Sequence, residues 1–267
     1  MTGARDSLGR VPRLLAPVAF GLLALAAWEA VVHIYEVPPY LLPGPLLVIS
    51  ALWSDGASLL AALWVTLRVA LAALLTAIVL GGGLAILMSR SRWVEASLLP
   101  YAIVLQVTPI VAIAPLIIIW ANDVFLSLLI CAWIVAFFPI VSNTTLGLNS
   151  ADRGLSDLFQ LYGATPRQTL LHLHLPTALP YFLAGLRISG GLALIGAVVA
   201  EFVAGTGGSE TGLAFRILEA GYRLQIPRMF AALVLLSITG IAIYVILDRL
   251  SHLLLRRWHE SALPRER

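Results

Sequence analysis

The residues that could do chemistry in this chain are polar side chains set inside long apolar runs. Gln106, Thr108 and Pro109 stand together in one such run, and Asn143 stands near the end of the next. Polar groups inside an apolar medium are costly, so they usually face a cavity or a partner. A cluster of this kind is typical of a path that binds and passes a solute, and Gln106 is the leading candidate for a substrate contact.

Each of these polar groups also has a purely structural interpretation. The Gln106 amide could instead hydrogen-bond to a neighbouring helix. Asn143 could bond to the backbone carbonyls that Pro139 leaves free. Pro109 and Pro115 indicate a broken helix, and broken helices commonly line substrate paths. Both interpretations therefore remain open for these residues.

Glu201 and Arg68 are charged residues near the ends of apolar runs. A charge at this depth usually pairs with an opposite charge. We predict that Glu201 forms a structural or gating ion pair with Arg68, and Arg216 and Arg223 are alternative partners. We interpret Glu201 as structural rather than as a substrate-binding residue.

Catalytic and metal-binding patterns are absent from the sequence. His172 and His174 are two residues apart and face different sides of a helix, which excludes a metal pair. The single Cys131 allows no disulfide within the chain. The glycines at 81–83 have no following Lys, and no phosphate-binding G-x-x-x-x-G-K-[ST] loop occurs. We predict no catalytic residue, metal or cofactor in this chain, so that ATP and magnesium, if used, are bound by a partner.

Long apolar runs are the elements that must position these residues. Hydrophobic residues make up 60% of the 267 residues and charged residues 12%, a balance that excludes a soluble protein. About 20 apolar residues cross ~30 Å of hydrocarbon, and without barrel-like alternation only helices satisfy their backbone there. We predict an all-α integral membrane protein with one domain over 1–267 and six transmembrane helices, at 14–35, 66–89, 99–120, 124–148, 181–204 and 229–255.

The distribution of basic residues predicts the orientation. All 17 basic residues are Arg. With the N-terminus inside, the inner segments hold twelve of them and the outer segments three. Positive residues collect on the cytoplasmic side, so we predict N-in/C-in topology in the lipid of the bacterial inner membrane. The charge is too small and scattered for a nucleic-acid partner.

Two segments are predicted to lie outside. Residues 36–65 begin EVPPYLLPGP, whose prolines exclude a regular helix there. The pattern from 46 to 63 permits a short helix. Residues 205–228 begin with glycines, and LAFRILEAGY within them indicates a short amphipathic helix.

The inner segment 149–180 is dense in helix signals. Gly163 follows an apolar stripe of helical spacing, where a left-handed cap would end a helix. Thr165 and Gln168 are predicted to form a capping box for a second helix, which is predicted to stop at 175–176. The segment either lies on lipid headgroups or docks a soluble partner.

The same segment resembles the signature loop of the membrane subunits of binding-protein-dependent ABC importers. That loop has the pattern Glu-Ala-Ala, three residues, Gly, nine residues, then Ile-x-Leu-Pro. Here Gly163 takes the Gly position, and LHLP at 173–176 follows nine residues later with Leu for Ile. The first triplet is Asp157-Leu158-Phe159, which keeps an acid and loses both alanines.

The likeness extends over nearly the whole chain. LLPGP at 41–45, QVTPIVAIAPLIIIW at 106–120 and ALPYFLAGLRISGGLALIGAVVAEF at 178–202 are similar to the subfamily that carries nitrate, taurine, alkanesulfonates and thiamin-pyrimidine precursors. The resemblance implies a type I ABC importer permease fold, a homodimer, two cytoplasmic ATP-binding subunits and an extracytoplasmic substrate-binding protein. It also implies ATPase coupling through Asp157, Leu158, Phe159, Gly163, Ala164, Thr165, Arg167, Leu175 and Pro176.

The function that this resemblance implies is ATP-driven import of a small solute by alternating access. The apolar runs place no Arg at mid-span to hold a sulfonate or nitrate, and Arg187 is close enough to the inner end to snorkel. The region around Gln106 also has a faint likeness to permeases for pyrimidine-type or riboflavin-type vitamins. The likeness and the lack of a mid-span Arg together favour a neutral planar heterocycle as the substrate over a sulfonate, taurine or nitrate. An ion-coupled secondary transporter would require inverted repeats, and a membrane enzyme would require clustered acids or histidines.

Overall fold

The computed structural model describes residues 11–205 and 211–256, with side chains from residue 16 onward in the first helix. Every regular element in these residues is helical. The elements are α1 (Val11–Ile34), α2 (Pro45–Ser54), α3 (Gly56–Thr76), α4 (Gly82–Ser89), α5 (Arg92–Val107), α6 (Ile110–Ala121), α7 (Val124–Leu148), α8 (Arg153–Leu161), α9 (Pro166–Thr169), α10 (Leu175–Ala204), α11 (Leu213–Tyr222) and α12 (Ile226–Leu255). π-helical turns at Ala77–Gly81 and Leu170–His174 join α3 to α4 and α9 to α10.

Five helical stretches of the described residues are long and apolar enough to cross a membrane, and one bent pair of helices can supply a sixth span. The five are Ala16–Ile34, Gly56–Ser89, Val124–Leu148, Pro166–Ala204 and Ile226–Leu255, and the bent pair is α5 with α6. The prediction of an all-α membrane protein with six spans is confirmed when the bent pair counts as one. Two stretches begin well before the predicted starts at 66 and 181.

The predicted span 99–120 is broken where its sequence indicated. The axes of α5 and α6 differ by 101° across Thr108 and Pro109. Pro109 has no N–H to continue the helix, and the Thr108 hydroxyl donates to the carbonyl oxygen of Val104 at 2.6 Å. Pro115, by contrast, remains inside α6, so only the first of the two prolines breaks the span.

The predicted helix stop at Leu175-Pro176 is wrong, because helix continues from Pro166 to Ala204. A proline inside an α-helix loses one hydrogen bond and clashes with the carbonyl four residues earlier. Here the preceding turn is π-helical, and the Leu175 N–H donates to the Leu170 carbonyl. The wider turn accommodates Pro176 without ending the helix.

Of the short helices predicted in the two outer segments, one is only partly correct and the other is confirmed. The short helix predicted over 46–63 occupies only its first half, because α2 ends at Ser54 and a new helix begins at Gly56. Asp55, between them, has φ −102° and ψ 5°, which is outside the helical range. The helix predicted from LAFRILEAGY is confirmed as α11.

The described residues fall into two compact units, and the larger comprises Ala61–Phe215 and the chain from Leu235. Its centre is the contact between α7 and α10. A methyl group on Gly185 would lie 2.6 Å from the carbonyl oxygen of Pro139, and one on Gly196 would lie 2.8 Å from the Cα of Ala132. Gly185 and Gly196 therefore let α10 pack closely against α7 of the same chain.

The smaller unit comprises the chain up to Leu60 and Arg216–Val234. The rings of Trp28 and Phe230 pack at a centroid distance of 5.9 Å. Arg228 donates to the Ser58 hydroxyl at 3.3 Å and lies 3.9 Å from the Asp55 carboxylate. The single domain predicted for 1–267 stays a prediction.

Candidate functional site

The segment 149–180 forms two short helices that meet at a sharp corner. Asp152 caps the start of α8 by accepting from the Leu155 N–H at 3.0 Å. Gly163 ends it with a φ of +67°, the left-handed conformation that glycine adopts without strain. The Ala164 N–H then donates to the Phe159 carbonyl at 2.9 Å. The predicted glycine cap is confirmed.

The second helix of the corner begins with the predicted capping box. The Gln168 side chain accepts from the Thr165 N–H at 2.8 Å, and the Gln168 N–H donates to the Thr165 hydroxyl at 3.3 Å. Pro166 occupies the first turn, where its missing N–H costs nothing. Because both termini are satisfied by residues of the corner itself, its shape is set locally.

The corner is exposed and carries apolar side chains. No residue of α8 is buried, and the exposed fraction is 44% for Leu158 and 82% for Tyr162. A groove of about 520 Å³ separates the two helices. Its walls are Leu158, Phe159, Tyr162, Gly163, Ala164, Gln168 and His172.

The structure divides the predicted coupling residues into two groups. Four of them line the groove of the corner, and Asp157, Thr165 and Arg167 are exposed beside it. Leu175 and Pro176 instead line a second groove of about 860 Å³, against Ile78, Val79, Gly82, Gly83, Ile86 and Thr144. This second groove is apolar and lies between the two π-helical turns.

The predicted path residues lie either at the break between α5 and α6 or in the contact between α7 and α10. Gln106 is exposed in the last turn of α5, directly before the break that contains Thr108 and Pro109. Asn143 is half-buried and donates to the Pro139 carbonyl at 2.9 Å. Gly185 of α10 packs against both Pro139 and Asn143. The geometry at Asn143 matches its structural interpretation, and its role in a path stays a prediction.

Glu201 is buried at the C-terminal end of α10, with 2% of its surface exposed. Its Oε2 atom accepts from the Thr66 hydroxyl at 3.1 Å and from the Ala214 N–H at 3.0 Å. The Thr66 hydroxyl also accepts from the Leu213 N–H at 2.8 Å. A methyl group on Gly212 would collide with the Glu201 carboxylate. Together these groups cap the start of α11, and the ion pair of Glu201 with Arg68 stays a prediction.

Thr66 and Gly212 were not predicted from the sequence as neighbours of Glu201. Glycine is among the residues found at helix N-caps, and Gly212 directly precedes α11. The identity of the capping groups depends on contacts over 135 and 147 residues of sequence separation, for which the pattern holds no signal.

Arg187 of α10 is paired across the larger unit. Its Nη1 atom donates to the Asp248 carboxylate of α12 at 2.7 Å. Both side chains are partly exposed, at 37% and 44%. Asp248 was not identified from the sequence, because the pair joins residues 61 positions apart.

A smaller charged cluster lies on α11. Arg216 donates to Glu219 at 2.8 Å, and Arg223 lies 2.9 Å from the other carboxylate oxygen. The hydrogen bond from Arg216, with the positive charge of Arg223, holds the pKa of Glu219 below its usual value.

Comparison of the sequence with known proteins identifies a family. Residues 73–260 match the family described as binding-protein-dependent transport system inner membrane component. The chain is 34% identical to a probable ABC transporter permease protein of Haemophilus influenzae, over 90% of this chain and 96% of the relative. It is 34% identical to the formylaminopyrimidine transport permease protein ThiX of Halalkalibacterium halodurans, over 90% and 95%. It is 35% identical to the riboflavin transport system permease protein RibX of Chloroflexus aurantiacus, over 94% and 92%.

The fold is also found among solved structures. An amino acid ABC transporter crystallised with histidines matches with a TM-score of 0.62 at 16% identity, over 77% of this chain and 96% of that chain. The fold is therefore that of type I ABC importer permeases. Since the family match covers most of the sequence, this chain belongs to the binding-protein-dependent transport system inner membrane components.

Proposed function

We propose that this chain, the permease subunit of an ABC importer, receives the closure of its ATPase through the α8–α9 corner and imports a neutral planar heterocycle. Membership of the family makes it a multi-pass protein of the inner membrane, and ATP hydrolysis belongs to a separate subunit. The importer also includes a substrate-binding protein. The ion-coupled alternative is not favoured by this membership.

The exposed corner is the observation that carries the coupling proposal. A helix that lies on an anionic leaflet is rich in Lys and Arg on its polar face. This corner has Asp152, Arg153, Asp157 and Arg167, which leave it nearly neutral. Its apolar groove and the exposed Leu158 and Tyr162 suit a protein partner instead. The predicted coupling residues Leu158, Phe159, Gly163 and Ala164 line that groove.

The coupling proposal is tested by co-purification of the ATPase with the permease. Deletion of residues 157–168 should abolish both ATPase binding and transport, and Leu158→Glu should weaken binding because it places a charge in the groove. Gln160→Glu is the matched control, since Gln160 is exposed on the same helix and does not line the groove. Transport that survives the deletion would refute the coupling role.

The transport cycle is proposed to be alternating access in a homodimer with two ATPases. Gln106, Thr108 and Pro109 at the α5–α6 break, with Asn143 on α7, are the proposed path. A break in a spanning helix frees backbone polar groups toward a cavity, and the exposed Gln106 amide supports its assignment as the substrate contact. The Glu201–Arg68 pair is proposed as a gating contact. A mass of the purified complex that corresponds to one permease copy would contradict the homodimer.

Two observations support a neutral heterocycle. Two relatives that cover most of the chain are named for formylaminopyrimidine and riboflavin transport. Arg187, which could have held an anionic solute, is already paired with Asp248.

The substrate proposal is tested by binding to the partner binding protein, followed by uptake into vesicles that hold the whole importer. Riboflavin and formylaminopyrimidine are the neutral probes, and taurine and nitrate are the charged ones. Binding and uptake of a neutral probe are expected. Uptake of taurine or nitrate alone would replace this substrate class and leave the permease assignment intact.

A further inference from the structure

We propose that His174 pins the base of the α8–α9 corner to the C-terminal end of α7, so that a push on the corner moves α7 with it. The proposal rests on the proposed ATPase-coupling role of the corner. His174 acts through a backbone atom of α7 and is a positioning residue.

The evidence is a hydrogen bond between residues 26 positions apart. The Nδ1 atom of His174 lies 2.8 Å from the carbonyl oxygen of Leu148. Leu148 is the last residue of α7, so its carbonyl has no partner within its own helix. A carbonyl oxygen only accepts, and the Nδ1 atom therefore carries the proton and donates.

The bond lies in packed surroundings. Leu148 is fully buried and Leu173 is 5% exposed. Leu148 packs with Ala85 and Ala178, and Leu170 and Leu175 lie against this cluster. The acceptor of the bond therefore lies in a packed region, and the partly buried His174 reaches it from the π-helical turn.

The position of the bond gives it a mechanical effect. The chain leaves α7 at Leu148, forms the corner, and returns at His174. The bond joins these two ends, so α8 and α9 project from a closed base. A loop with a closed base moves as one body with the helix to which it is fixed, whereas an open loop absorbs the same push by bending.

Retention of α7 against α10 does not depend on this bond. Ser189 of α10 donates to the Ala136 carbonyl of α7 at 2.6 Å. A methyl group on Gly147 would lie 2.8 Å from the Cα of Ala178, which shows how closely the two helices approach. Loss of the bond should therefore leave the fold intact and loosen only the corner.

His172 supplies a matched control within the same π-helical turn. Its Nδ1 atom lies 2.9 Å from the carbonyl oxygen of Gln168, four residues earlier. This imidazole is exposed, and its bond joins it to the preceding turn of its own helix. The two histidines share chemistry and local backbone, and they differ in whether they reach α7.

The test measures the distance between the corner and α7 in the permease–ATPase complex. Spin labels are placed by Leu161→Cys on α8 and Leu146→Cys on α7, since these leucines are 83% and 59% exposed. The buried Cys131 is replaced by Ala, and labelled subunits are diluted with unlabelled ones. Distances are recorded without nucleotide and with ATP plus vanadate.

One narrow distance is expected in both states for the parent protein. His172 lines the groove proposed to bind the ATPase, so His172→Leu and His174→Leu are compared in the permease without the ATPase, where His172→Leu should keep the narrow distance. His174→Leu should raise the population of a second, longer distance by about fivefold, the usual effect of one lost hydrogen bond. His174→Asn should restore the narrow distance, because its amide nitrogen replaces Nδ1. A single narrow distance in His174→Leu overturns the proposal, and so does broadening in His172→Leu or a failure of Asn to rescue.

Failure of the underlying coupling role looks different. If no ATPase co-purifies with the parent permease, that role fails, while the nucleotide-free distances of the same variants still decide whether His174 pins the corner.

Discussion

The starts of α9 and α11 solve the same problem in opposite ways. Each helix has N–H groups in its first turn that need acceptors. At α9 the acceptors are the side chains of Thr165 and Gln168, which are three residues apart and exposed. At α11 they come from Thr66 and Glu201, which are buried and belong to other helices.

The difference is whether the capping groups belong to the helix itself or to other helices. An exposed cap contributes about 1 kcal/mol and survives displacement of the helix, because the cap travels with it. A buried N–H that loses its acceptor costs about 1–3 kcal/mol, so the first turn of α11 is held by Thr66 and Glu201. The α8–α9 corner therefore keeps its caps if it is displaced, whereas the first turn of α11 depends on residues of α3 and α10.

Among these predictions, the largest loss of stability is expected from Glu201→Ala. The change leaves the Ala214 N–H without its acceptor and opens a cavity, so the free energy of unfolding should fall by about 3 kcal/mol. Denaturation by dodecyl sulfate in mixed micelles measures it. Glu201→Gln keeps an oxygen at the Oε2 position, where both recorded bonds are made, and should lose much less. Equal losses in both variants would show that the carboxylate charge, not the cap, holds α11.

Gly163→Ala should have an intermediate effect, confined to the corner. A side chain at a φ of +67° costs about 1–2 kcal/mol, and hydrogen exchange should quicken over 153–169. Gly191→Ala is the control, because a methyl group there meets nothing within 4 Å. Faster exchange at α11 in Gly163→Ala would mean that the two regions are not independent.

Thr165→Ala should cost about 1 kcal/mol of corner stability, measured by the same exchange experiment. Gln168→Ala removes the other half of the same capping box. The double variant should therefore lose less than the sum of the two single losses, as expected for coupled neighbours. Additive losses would show that the two halves of the box act separately.

The smallest effect is the pH dependence of the charged cluster on α11. The hydrogen bond from Arg216 lowers the pKa of Glu219 in the folded state. Its stabilising contribution is thus fully present above the unfolded-state pKa and is lost as pH falls through the lower folded pKa. Exchange over 216–222 should quicken across that window, and Arg216→Gln should flatten the change. An unchanged profile in this variant would remove Arg216 as its cause.

Features set within one helical turn could be predicted from the sequence, and contacts between residues far apart in the sequence could not. Gly163, Thr165 and Gln168 were identified because a cap and its partner lie within one turn. The Leu175-Pro176 stop was wrong because the π-helical turn before Pro176 leaves no mark in the residue pattern. The Thr66–Glu201 contact and the Arg187–Asp248 pair depend on how distant helices pack, which periodicity along one helix does not encode.

The helix that runs unbroken from Pro166 to Ala204 joins the two regions compared above. At 1.5 Å per residue it is about 58 Å long, nearly twice the ~30 Å hydrocarbon layer. One end carries the corner and the other carries Glu201. A tilt of about 5° about one end displaces the other by about 5 Å over such a length. Moved as one body, a helix of this length would convert a small angular step at one end into a displacement as wide as a side chain at the other.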